Sequence, residues 1–172
     1  MTTLVFPGQG SQYVGMARDF YDSFESAKNT FELVEDITKI KVKKIVFENT
    51  DNLLNITKYT QICIYTVSMA ILEVFYEIFK NTSIFDIKFV LGHSLGEYSA
   101  LTASKSIMIT DCARLLKIRG ELMQNAYPEN KSGMAAVIGL DSQSLEKIIE
   151  KNSLNIEIAN DNTPEQVVIS GI

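Results

Sequence analysis

The sequence predicts an α/β fold carrying a second, smaller subdomain, and three observations support this. Ile87–Leu91 is a compact apolar strand that runs straight into Gly92-His93-Ser94-Leu95-Gly96 and then into a helical stretch. Leu4-Val5-Phe6 is another short apolar run, ended by Pro7-Gly8 and followed by a helical pattern. From about residue 134 the order changes to strand, helix, strand, strand. The division is placed at 127/128, so 1–127 form the larger subdomain and 128–172 the smaller one.

Each element has its own signal. After the polar turn Gly8–Gln12, residues Ala17, Phe20, Phe24, Ala27 and Phe31 repeat at helical spacing and mark one buried face. A less regular helical stretch covers about 31–48, and Asn49–Asn55 is a polar loop rich in turn formers. Thr57–Lys80 reads as a long helix, apolar nearly all round in its first half, which places it inside a core layer. A helical stretch runs from Glu97 to about Ser104, and another starts near Thr110 or Asp111 and runs to about Ala126. Beyond the loop 127–133, Met134–Leu140 reads as a strand, Asp141–Lys151 as an amphipathic helix, and Ile156–Ala159 and Gln166–Ser170 as strands.

Composition narrows the class. The chain has 172 residues, 46% of them hydrophobic, with nine Gly and three Pro. That excludes a disordered, fibrous or low-complexity chain and is enough for one substantial core. Net charge is −5 and the basic residues are scattered, so no nucleic-acid partner is expected. Lys39, Lys41, Lys43 and Lys44 are the only local basic cluster, read as a solvated helix face. Met1-Thr2-Thr3 leads into a strand without a charged leader, and the charge-free stretch Ile62–Leu72 is too short to cross a bilayer. A cytoplasmic protein with no membrane span is expected. Cys63 and Cys112 lie in apolar helical patterns and His93 is the single histidine, so neither a disulfide framework nor a metal site is expected.

Gly92-His93-Ser94-Leu95-Gly96 matches G-x-S-x-G at a strand-to-helix junction. A sharp turn there holds the serine oxygen above the sheet edge, and flanking glycines let strand and helix pack closely. The Leu95 amide, at the helix start, is placed to stabilise a developing oxyanion. His93 is a poor candidate base for Ser94, because neighbours at a strand end point to opposite faces and a base must come within ~3 Å of its proton. His93 is therefore read as a packed structural residue, which leaves a nucleophile without an evident base.

Arg119 is the second signal. It falls on the stripe 112, 115, 116, 119, 122, 123, 126, whose other members are apolar. A guanidinium facing inward needs an anionic partner. Spacing leaves two partners open, a scaffold carboxylate or a substrate carboxylate bound bidentately. The Pro7–Gln12 turn is the third signal, since a second oxyanion donor commonly comes from such a loop.

Together these segments resemble the malonyl-CoA:acyl carrier protein transacylases. Leu4–Gln12 with Gly15-Met16 is similar to the family's opening, and Gly92–Leu101 to its nucleophile segment. Arg119-Gly120, Met123-Gln124, Gly133–Leu140, Asn160, Asn162, Pro164 and Gln166–Gly171 continue the match in order. The resemblance implies a hydrolase-like parallel-sheet core with an inserted ferredoxin-like small subdomain, both incomplete in this chain. It implies Ser94 as the nucleophile that takes malonyl as a serine ester, with the Gln9 and Leu95 amides as the oxyanion hole. Arg119 then clamps the malonyl carboxylate, and Gln61 and Met123 line the pocket.

Malonyl-CoA and acyl carrier protein are the implied partners, in fatty acid biosynthesis. No cofactor is implied, because the coenzyme A thioester and the phosphopantetheine thiol are substrates. The family's catalytic histidine lies beyond the matching stretch, so the 172 residues are expected to be an N-terminal portion lacking its base. Loss of one triad member costs on the order of 10⁶ in turnover, so the chain alone is expected to be nearly inactive. Alternatives are a G-x-S-x-G serine hydrolase, or a truncated non-catalytic relic acting as an interaction module. The Lys39–Lys44 cluster and the Arg114/Lys117 face are candidate docking patches for the carrier protein.

Overall fold

The computed structural model describes residues 1–82, 86–126 and 131–172. They form two compact units, Met1–Gln124 and Asn125–Ile172. The boundary expected at 127/128 lies outside the described residues.

In the first unit, β1 (Thr2–Phe6) pairs in parallel with β2 (Ile87–Gly92), bringing Phe6 opposite Gly92. Between them run α1 (Arg18–Ser23), α2 (Glu25–Thr38), α3 (Val42–Phe47), a 3-10 segment (Thr50–Asn55) and α4 (Thr57–Phe79). After β2 come α5 (Leu95–Ala103) and α6 (Ile109–Asn125). The apolar periodicity from Ala17 to Phe31 runs through a break. Phe24 is extended (φ −126°, ψ 129°), so one expected helix becomes α1 and α2. The preceding Asp22-Ser23 has short polar side chains that favour helix ends over interiors. The core still receives the same face, because Phe20 and Phe24 pack against it on either side of the break.

Helix α4 is the centre of this unit. Residues from Thr60 to Ala70 are buried without interruption, as an all-round apolar helix requires. It packs against α2, α3 and α5, and Tyr65, Ile62 and Met69 are among its fully buried side chains. It is the one helix among the described residues long and apolar enough to cross a membrane, yet its first half fills the core. Tyr21, Phe31 and Phe47 form an aromatic cluster that closes α1–α3 over the core, with ring centroids 5.3–5.6 Å apart.

The second unit is β3 (Gly133–Ile138), α7 (Ser142–Lys151), β4 (Ile156–Thr163) and β5 (Gln166–Gly171). Its sheet is antiparallel in the order β3-β5-β4. β4 extends four residues beyond the expected Ile156–Ala159 strand. Asn160–Thr163 read as a loop because they are polar. They are strand because Val167 and Val168 of β5 supply partners across a tight hairpin, with two irregularities in register. Asp141 caps α7 through its side chain, which accepts from the Ser144 amide at 2.6 Å. That hydrogen bond holds the Asp141 carboxyl below its ordinary range.

Candidate functional site

Ser94 sits between β2 and α5 with φ 52° and ψ −104°, a conformation L-residues rarely adopt. Such backbones cost about 1–3 kcal/mol and persist only where the surroundings over-determine them. The surroundings here are two glycines. A Cβ on Gly92 would stand 2.0 Å from the carbonyl of Gly96, and one on Gly96 would stand 2.2 Å from the Phe6 carbonyl oxygen. Strand, turn and helix are thus pressed together more closely than any side chain permits. The turn is closed by the Gly96 amide donating to the His93 carbonyl at 2.9 Å.

That contact also fixes the first loop. Because the start of α5 abuts Phe6 and Pro7, the turn after β1 lies beside the elbow. A Cβ on Gly8 would stand 2.8 Å from the His93 carbonyl oxygen and 3.4 Å from its Nδ1, so the imidazole rests against this turn. Gln9 is held from the other side, its Nε2 donating to Thr57 Oγ1 at 3.2 Å. Gln12 secures the loop further, accepting from the Gly10 amide and donating to Asn55 Oδ1.

Arg119 reaches Ser94 from α6. Its Nη2 donates to Ser94 Oγ at 3.2 Å and its Nη1 to Gln61 Oε1 at 2.5 Å. Gln61 is fully buried in α4, and its Nε2 meets Met123 Sδ at 2.9 Å. Ser94, Arg119, Gln61 and Met123 therefore form one connected cluster, and Thr57, which holds Gln9, lies one turn before Gln61 on the same helix. Leu95 is fully buried directly after Ser94, with its amide at the free N-terminal end of α5.

The face of α6 differs from the expected stripe. Its buried residues are Cys112, Ala113, Leu116 and Gly120, whereas Leu115, Leu122 and Met123 are 47%, 67% and 46% exposed. The small residue at 120 sets this rotation, because a Cβ there would stand 2.9 Å from the Lys58 Cα. Arg119, beside that contact, is half-buried and looks toward Ser94. Its partners are neutral: a hydroxyl, an amide oxygen, and the Tyr98 ring 5.4 Å from its guanidinium carbon. Among the described residues it pairs with no carboxylate. A partly desolvated guanidinium held by neutral acceptors is prepared for an anionic ligand.

Tyr98 and Thr57 are the two contributors that sequence reasoning passed over. Tyr98 follows Ser94 at i+4, a spacing that puts it on the elbow's side of α5. Thr57 carried no signal, since its role depends on where the Gln9 loop lands. No group of three or more His, Cys, Asp or Glu side chains is placed to hold a metal ion among the described residues.

Residues 3–172 match the family model described as acyl transferase domain. The chain is 37% identical over 171 residues to the malonyl CoA-acyl carrier protein transacylase of Bacillus subtilis (strain 168), covering 97% of this chain and 52% of that protein. Among solved structures it is similar to the acyl-carrier-protein-S-malonyltransferase of Bartonella henselae, with TM-score 0.88 and 42% identity over 99% of this chain and 55% of that one. It is also similar to a malonyl-transacylase in complex with its type II PKS acyl-carrier protein, with TM-score 0.87 and 36% identity over 98% of this chain and 54% of that one. The chain thus spans about half the length of the curated relatives it matches.

Proposed function

The chain belongs to the acyl transferase domain family, and from that premise we propose that it serves malonyl transfer from malonyl-CoA to the phosphopantetheine thiol of acyl carrier protein. The observation that carries this reading is the Arg119 guanidinium, 3.2 Å from the Ser94 hydroxyl and without a carboxylate of its own. A hydrolase acting on neutral esters has no use for such a cation; an acyl group ending in a carboxylate does.

Ser94 Oγ gives up its proton and attacks the thioester carbonyl, the C–O bond forms, and the C–S bond breaks as coenzyme A leaves as the thiol that takes up that proton. The Gln9 and Leu95 amides stabilise the oxyanion, and Arg119 holds the distal carboxylate against Gln61. The carrier thiol then gives up its proton and attacks the serine ester, the new C–S bond forms, and the C–O bond breaks as Ser94 Oγ takes that proton, which gives ping-pong kinetics. We place the general base outside these 172 residues, because the single histidine rests against Gly8 and the curated relatives are about twice as long. The chain alone then turns over slowly, with a loss on the order of 10⁶. In this reading the first unit is part of a hydrolase-like core, the second is the beginning of a ferredoxin-like subdomain, and the reaction belongs to cytoplasmic fatty acid biosynthesis.

The test is intact-protein mass spectrometry after prolonged incubation with malonyl-CoA, followed by peptide mapping. A malonyl adduct on Ser94, absent from Ser94→Ala and discharged by holo carrier protein, is expected. An adduct on another residue, or discharge to water faster than to the carrier thiol, would overturn the reading.

A further inference from the structure

Five lysines from separate parts of the chain line one hollow of about 440 Å³ in the first unit. Lys39 and Lys41 come from the α2–α3 junction, Lys44 from α3, Lys58 from the first turn of α4, and Lys117 from α6. The hollow also contains two carboxylates, Asp51 and Glu121, so the lining carries a surplus of three positive charges, five minus two. None of the five lysines forms an ion pair among the described residues. On a chain of net charge −5, this is a local inversion of sign. Gathering like charges works against folding, and three separate stretches, 39–44, 58 and 117, contribute to the gathering.

Shape narrows the ligand. The lysines line a concavity of small-molecule size, whereas a protein partner is met by a broad, flat surface. Ammonium groups on flexible stems are point charges suited to phosphate oxygens, and several together suit several phosphates. Lys58 is the least free of the five, with its Nζ 4.7 Å over the Tyr59 ring, a contact that leaves its N–H donors available. Glu32, Glu35 and Asp36 line a neighbouring hollow shared with Lys39 and Lys41, whereas Lys44, Lys58 and Lys117 do not line it.

We propose that this hollow is a binding site for a small molecule bearing two or more phosphate groups. The site is distinct from the Ser94 cluster but close to it. Lys58 precedes Gln61 by one helical turn, and Gly120, next to Arg119, packs on the Lys58 backbone. Two sources share the chemistry: the nucleotide end of a coenzyme A thioester, and a free nucleotide polyphosphate.

Isothermal titration of the chain at low salt with coenzyme A, adenosine 3′,5′-bisphosphate and ATP tests the site. Binding is expected, weakening as salt rises. The double substitution Lys44→Glu/Lys117→Glu is expected to weaken it at least about tenfold, which is about 1.4 kcal/mol. Lys28→Glu, made on a lysine already paired with Glu25, is expected to leave it unchanged. Circular dichroism confirms that the variants fold. Coenzyme A and adenosine 3′,5′-bisphosphate binding well above ATP assigns the thioester source; equal binding assigns the free polyphosphate. Either result supports the site. No binding of any of the three, or binding unaffected by the double substitution, overturns it. So does loss of affinity for an acidic polypeptide alone, which would make the hollow a protein-docking patch. Malonyl-pantetheine, which lacks the nucleotide, separates this proposal from the acyl-transfer reading. Ser94 acylation by it, without phosphate binding, sinks only the site; phosphate binding with Ser94 still unacylated after prolonged incubation sinks only the reaction.

Discussion

Arg119 Nη2 stands 3.2 Å from Ser94 Oγ, although 25 positions separate the two residues, Ser94 in the turn before α5 and Arg119 on α6. The guanidinium occupies the space next to the hydroxyl where an acyl chain attached to Ser94 would extend. A carboxylate at the end of that chain would replace Ser94 Oγ as an acceptor and gain a charge-assisted pair.

Removing the cation is therefore expected to remove selectivity before it removes the fold. Arg119→Ala should lower the preference for malonyl over acetyl thioesters by about 30- to 150-fold, the value of a hydrogen-bonded charge pair of about 2–3 kcal/mol. Competition between the two thioesters for Ser94, read by mass spectrometry, measures the ratio. An unchanged ratio would assign Arg119 a structural role.

Gln61→Glu asks the converse question. The change is nearly isosteric and gives Arg119 an internal carboxylate at the position of Gln61 Oε1. Malonyl loading should fall about tenfold or more, because the substrate now competes with a built-in anion, while acetyl loading changes little. Thermal unfolding is expected to change little, since the new charge is paired. Faster malonyl loading would contradict the clamp.

Ser94 also stores strain. Glycine tolerates φ 52°, ψ −104° without a Cβ clash, so Ser94→Gly should stabilise the chain by about 1 kcal/mol, net of its greater unfolded-state entropy. That corresponds to about 2–4 °C in Tm for a chain of this size, accompanied by complete loss of acylation. A drop in Tm would mean that the hydrogen bond to Arg119 outweighs the strain.

The two cysteines should be silent in the folded state. Burial pushes the Cys63 thiol up to about 12, with the Glu35 charge adding to the rise, and burial also raises Cys112. Neither forms a disulfide. A thiol-disulfide reagent at pH 8 is expected to find no fast-reacting thiol in native protein and two after denaturation. A rapid native equivalent would show that the α4 or α6 packing opens readily.

Asp141 gives the second unit a pH dependence of known sign. Its folded carboxyl is held below the ordinary value by the hydrogen bonds from Ser144. The capping contribution is therefore fully present above the unfolded value, about 3.9, and is lost as pH falls through the folded one. Protection of the α7 amides should decline below pH 4, with the Ser144 amide resonance titrating alongside. Asp141→Asn should keep the cap and lose that titration, and Asp141→Ala should lose both.

Much of this was legible in the chain. Apolar spacing located α4 and its burial, because a helix that is apolar on all sides has nowhere else to go. G-x-S-x-G located the elbow, because a Cβ on Gly92 or Gly96 would fall 2.0 Å or 2.2 Å from neighbouring backbone, so only glycine fits there. Periodicity misjudged the break at Phe24, whose side chain serves the core on either backbone path. Polarity hid the far half of β4, whose partners are Val168, Val167 and Gln166 of β5.

The α/β order, the elbow and an arginine among apolar neighbours follow from the chain alone, since each depends on local spacing or backbone sterics. What that arginine faces follows from packing. Spacing fixes an angle around one helix axis, whereas the partner depends on how α4, α5 and α6 are packed together. The close approach at Gly120 turns α6 so that Arg119 meets Ser94 and Gln61 rather than a carboxylate.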